Sequence, residues 1–108
     1  MISIKAGVDV RGIGQEILLG AVILAGVFWR HGIPLLITSC RDGKHKDNSL
    51  HYIGDAIDLR LPSRFNSTAN IDLMLLAEGR EALGEQYDLI LEADHLHLEF
   101  DPKADERA

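Results

Sequence analysis

Residues 17–29, Ile-Leu-Leu-Gly-Ala-Val-Ile-Leu-Ala-Gly-Val-Phe-Trp, carry no polar side chain, and this run limits the folds open to the chain more than any other feature. A helix needs about 20 apolar residues to cross a bilayer, so the run is too short for a membrane span. Lys5 and Arg11 precede it as the basic start of a secretory signal would, but Trp29-Arg30-His31-Gly32 offers no small-residue cleavage site. The run therefore reads as part of a helix over residues 12–31, apolar nearly all round and central in the core. On that reading the chain carries no export signal of its own. Gly32 is placed to stop the helix, and Pro34 prevents its continuation.

With 108 residues and 46% apolar side chains, the chain can build one core, so residues 1–108 are read as one domain with a frayed, charged tail at 101–108. No repeat or low-complexity tract interrupts it. The formal charge of −6 excludes a basic face for nucleic acid and electrostatic docking to an anionic membrane. A single cysteine, Cys40, excludes an internal disulfide and a four-thiolate zinc knuckle.

Leu35-Leu36-Ile37-Thr38 reads as a short buried strand, followed by a polar loop from Cys40 to Tyr52. Alternation predicts a strand over 55–61, with Ala56, Asp58 and Arg60 on one face and Ile57, Leu59 and Leu61 on the other. Ser67 or Thr68 is the expected cap of a helix running to Leu83, with Ile71, Leu75 and Leu76 on its buried stripe and Gly84 closing it. Two further strands, 87–91 and 95–100, flank a tight acidic turn. The order predicts an α+β fold, a small and mostly antiparallel sheet with helices packed on one face.

In the last strand Leu96, Leu98 and Phe100 form a core face, so His95, His97 and Glu99 share the opposite one. Two imidazoles side by side suit a metal. Asp58 has the small Ala56 beside it, and His51 lies seven positions earlier, where the loop enters the strand. His51, Asp58 and His97 together give two nitrogens and one oxygen, leaving a fourth position for water, as catalytic zinc requires. Asp94, in the turn before His97, supplies a base; Arg41, across the loop, supplies a cation for a carboxylate or a developing oxyanion. Taken singly, most of these residues have plainer readings. Cys40 reads as a small buried side chain, His31 and His45 as solvated, Glu92 as a turn residue, Arg60 as an ion-pairing side chain, and Tyr52 as packing for the loop.

Taken together, Ser49-Leu50-His51-Tyr52-Ile53-Gly54-Asp55-Ala56-Ile57-Asp58-Leu59 and Asp94-His95-Leu96-His97-Leu98-Glu99 resemble the motifs of the zinc D-Ala-D-Ala metallopeptidase family. That family includes D,D-carboxypeptidases, D,D-dipeptidases and L-alanyl-D-glutamate endolysins, and hedgehog domains share its zinc site. Ile37-Thr38-Ser39-Cys40-Arg41 resembles the family's strand and Ser-x-Tyr-Arg turn, with Cys40 where many members have Tyr. The likeness covers residues 34–101 and implies a hedgehog/D,D-peptidase-like fold. It implies zinc on His51, Asp58 and His97, a general base at Asp94, transition-state stabilisation by Arg41, and His95 lining the site. It places Ser49 as a hydrogen-bonding residue behind the ligands. The implied activity is hydrolysis of peptidoglycan stem peptides by zinc-activated water. The short chain, without a wall-binding module, fits a phage-type enzyme made in the cytoplasm and acting at the wall after release. The rival reading is a non-catalytic zinc-binding module or phage structural part with a hedgehog-like site.

Overall fold

Strict alternation in the two central strands gives the sheet one oily face and one polar face, and the fold follows from covering the first. In a computed structural model, which describes residues 1–41 and 56–102, the elements run β1 (Ile2–Ile4), α1 (Gln15–Trp29), β2 (Leu35–Arg41), β3 (Ala56–Arg60), a short 3-10 turn (Pro62–Arg64), α2 (Ile71–Leu83), β4 (Tyr87–Leu91) and β5 (His95–Phe100). They form one five-stranded sheet in the order β1-β2-β3-β5-β4. Among the described residues only the β1–β2 pair is parallel; the other pairs are antiparallel. Ile57, Leu59, Leu89, Leu96 and Leu98 are fully or almost fully buried and join Ile17, Leu24, Phe28, Ile71 and Leu75 of the helices in a single core. The expected α+β class, with a mostly antiparallel sheet and two helices on one face, is the observed one.

The helices lie close to the sheet because glycine allows it. A Cβ on Gly20 of α1 would stand 2.7 Å from the Tyr87 ring, and the Tyr87 hydroxyl donates to the Glu16 carbonyl at 2.7 Å. At the end of α1, Gly32 adopts φ +72°, the Gly32 N–H donates to the Trp29 carbonyl and the Ile33 N–H to the Phe28 carbonyl. This is a Schellman ending and gives Gly32 the stopping role read from the sequence.

Several expectations need correction. α1 is not central: Leu18, Leu19, Val22 and Trp29 are each about half exposed, because the described elements, one sheet and two helices, include no third layer to cover them. Among the described residues no helix is long and apolar enough to cross a membrane. β1, unread in the sequence, is a three-residue strand too short for a visible alternation. α2 starts at Ile71, after Asn70 at φ 62°, and not at a Ser67 or Thr68 cap; Thr68 instead donates to the Asn66 side chain, and Asp72 accepts from Ser63. His31 is not simply solvated, since its Nε2 lies 2.9 Å from Glu78 Oε1 and ties the end of α1 to α2. The tail is paired as far as Asp101, whose N–H donates to the Gln86 carbonyl at 2.7 Å; residues 103–108 lie outside the described ones.

β2 also runs three residues further than expected, and a bulge explains how. Ile37 pairs with Leu59, but Ser39 pairs with Asp58, so Thr38 is an extra residue in the ladder. Without it, residues 39 and 41 would fall on the core face begun by Leu35 and Ile37, where Ser and Arg are costly to bury. With it, Cys40 becomes the partner of Ile57 and packs against the core, and Ser39 joins the face of Asp58.

Candidate metal centre

The β3–β5 register sets the site. Asp58 stands directly opposite His97, Arg60 opposite His95, and Ala56 opposite Glu99. Residues opposite one another on antiparallel strands share a face with their Cβ atoms about 5 Å apart. Burial of Ile57, Leu59, Leu96 and Leu98 on one side therefore forces Asp58, His95 and His97 together on the other.

The contacts are specific. His97 Nδ1 lies 3.0 Å from Asp58 Oδ1, and His95 Nε2 lies 3.5 Å from the same oxygen. One donor atom from each of Asp58, His95 and His97 falls within 4.8 Å of the others, close enough for the three to bind a metal ion. Donors held tetrahedrally at 2.0–2.1 Å from zinc sit about 3.3 Å apart, a value between the two measured separations. The first separation is that of a hydrogen bond and the second is longer than a good one, and both are compatible with one cation shared by the three groups.

The far side of each ring is held too. His97 Nε2 is 3.2 Å from Glu99 Oε1, and His95 Nδ1 is 2.7 Å from Asp94 Oδ1. Each imidazole thus turns one nitrogen to Asp58 and gives the other to a carboxylate, the arrangement that fixes the tautomer of a metal-binding histidine. The side chains of Asp58 and His97 are each only 13% exposed, which limits competition from water. Asp94 is at the surface, and its hydrogen bond to His95, then the charge of that ring, hold its carboxyl below the ordinary carboxylate range.

Asp58, Asp94 and His95 line an open cleft of about 350 Å³ together with Lys5, Thr38, Arg60 and Arg64. The Thr38 hydroxyl donates to the Asp58 carbonyl at 3.3 Å, so the bulge residue braces the strand that carries the carboxylate.

Of the site residues read from the sequence, the structure brings Asp58, His97, His95 and Asp94 together. His51 and Ser49 lie outside the described residues, as do His45 and Tyr52. Arg41 ends β2 as the backbone partner of Ala56, on the strand next to Asp58. Arg60, read as an ion-pairing side chain, has no ion pair among the described residues. Glu99 shares a face with the histidines in the sequence pattern, and its contact with His97 gives it a role that the pattern does not assign. Lys5 and Arg64 carried no signal, because nothing in the sequence marks β1 or the turn after β3 as facing the histidines.

Comparison with models of protein families, with curated proteins and with solved structures finds no match.

Proposed function

We propose that this protein is a zinc-dependent peptidase that hydrolyses stem-peptide bonds of peptidoglycan, of the D-Ala-D-Ala carboxypeptidase or L-Ala-D-Glu endopeptidase type. One observation carries the reading: two imidazoles converge on one oxygen of Asp58, each backed by its own carboxylate. Asp58 and His97 hold the metal with a third ligand, which the family likeness assigns to the imidazole of His51. When bound, zinc polarises a carbonyl and lowers the pKa of a bound water from 15.7 to roughly 7.

The chain's own residues supply the rest. Asp94 lines the same cleft as Asp58 and uses one oxygen to orient His95, leaving the other to accept a proton from water and return it to the leaving amine. Its lowered pKa keeps it ionised and ready as a base, although a weak one. Arg41 offers a charge-assisted donor to the tetrahedral oxyanion, and removing such a donor typically costs about 10²–10³ in rate. Ser49 is assigned to hold a ligand from behind. Action follows release of the protein to the wall.

A second reading, a non-catalytic zinc-binding module, is favoured by the direct bond between Asp94 and His95, which gives Asp94 a structural task. Metal analysis and mass spectrometry of muropeptides after digestion separate the two. Stoichiometric zinc with new stem-peptide products supports the peptidase; zinc without products supports the module; no zinc removes both.

A further inference from the structure

The cleft has a second half that the metal does not use. The basic side chains described by the structure fall into two sets. Arg11 pairs with Asp9, Arg30 approaches Glu78, and Arg80 donates to the Leu89 carbonyl. Lys5, Arg60 and Arg64 have no ion-pair partner among the described residues, and all three line the cleft beside Asp58 and His95. In a chain of net charge −6, acids are plentiful, so three cations in one place without an ion-pair partner among the described residues are not a by-product of composition.

The fold gathers them from separate elements. Lys5 follows β1 and is anchored by its N–H to the Ile37 carbonyl at 2.9 Å. Arg60 ends β3 opposite His95. Arg64 is returned to the cleft by the 3-10 turn that Pro62 begins. The acids that share the cleft, Asp58 and Asp94, make their described side-chain contacts with imidazoles at 3.0 Å and 2.7 Å, and as two carboxylates they offset three cations only in part.

We propose that Lys5, Arg60 and Arg64 form an anion subsite next to the metal centre, and that it holds a carboxylate of the peptide substrate. The identity of the ligand as a peptide rests on the peptidase reading; the capture of an anion does not. Arg60 and Arg64 grip the carboxylate with charge-assisted hydrogen bonds, and Lys5 adds a more loosely held charge. The subsite makes peptides with a free acid beside the scissile bond the preferred substrates, and it sets the direction in which the chain lies across the metal.

The test is a pair of ligands that differ only in charge, N-acetyl-D-alanyl-D-alanine and its C-terminal amide. Each is titrated into the full-length protein, zinc-loaded and metal-free, and followed by NMR. The acid is expected to bind about fivefold or more tightly than the amide in both forms, given charge-assisted contacts at a partly exposed site. Arg60→Gln and Arg64→Gln each bring the ratio towards one without weakening the amide, and Lys5→Gln lowers it less. Arg64 and Lys5 are exposed, so their variants keep the test open if Arg60→Gln folds poorly. Equal binding of acid and amide by the wild type, binding of neither, or a ratio unchanged in the variants overturns the subsite. Persistence of the ratio in a protein that takes up no zinc keeps the subsite and overturns the peptidase reading.

Discussion

Asp58 and His97 face each other across the β3–β5 ladder, with the imidazole Nδ1 3.0 Å from the carboxylate oxygen. Their apposition comes from the same pairing that buries Leu59 against Leu96 and Ile57 against Leu98. The pair is therefore held in place by the core rather than by its own contact.

Removing either partner should abolish stoichiometric zinc while leaving the fold in place. Asp58→Ala and His97→Ala are expected to elute metal-free from dialysis against micromolar zinc, with far-ultraviolet circular dichroism like that of the wild type. Glu99→Gln, which loses only the support behind His97, should weaken zinc binding by about 10–100-fold. Full zinc occupancy in His97→Ala would remove this ring from the centre.

The third ligand is decided by comparing two variants. The peptidase reading expects His51→Ala to lose zinc, and His95→Ala to keep it but lose turnover. The opposite ranking, read by metal content alone, makes His95 the third ligand, as its 3.5 Å approach to Asp58 allows, and withdraws the family likeness as a guide to the ligand set.

Asp94 carries a pH signature. Its folded-state pKa is depressed, first by the hydrogen bond from His95 and then by that ring's charge. The contribution of the pair to stability is thus present above the unfolded carboxylate pKa and lost as the pH falls through the lowered folded value. Carbon-detected NMR of the metal-free protein should place the Asp94 midpoint below the ordinary carboxylate range. His95→Ala should raise it towards 3.8, the ordinary value. An unmoved midpoint would break the proposed coupling.

Two glycines of α1 should respond in opposite directions. Gly20→Ala forces a methyl group to 2.7 Å from a Tyr87 ring that is pinned by its hydroxyl. Overpacking of this kind costs about 1–3 kcal/mol, more than the roughly 1 kcal/mol that alanine gains in helix propensity, so thermal stability falls. Gly26→Ala meets nothing within 4 Å and should raise stability by about 0.5–1 kcal/mol. Equal melting temperatures for the two variants would contradict the packing of α1 on β4.

Period-two patterning made the central strands legible. Leu96, Leu98, Ile57 and Leu59 identified the core face, and with it the polar face of Asp58, His95 and His97, before any pairing was known. The bulge at Thr38 was not legible, since an extra residue in a ladder exists only relative to a partner strand. The exposure of Leu18, Leu19 and Val22 was hidden for a related reason: an apolar helix does not announce how many neighbours the rest of the chain can give it. Lys5 and Arg64 stayed unread because their meeting with His95 depends on strand order, and sequence spacing carries no record of that order.

A slip of β5 by a single residue against β3 would bury His95, His97 and Glu99 among the leucines and turn Leu96 and Leu98 to water. Misthreaded chains are therefore penalised twice over, by stranded polar groups and by wetted hydrocarbon, so the polar face of β5 doubles as a proofreading device for assembly. Mutational drift at the three ring and carboxylate positions would loosen alignment of the strands as well as chemistry, and the two losses should surface together in slower refolding.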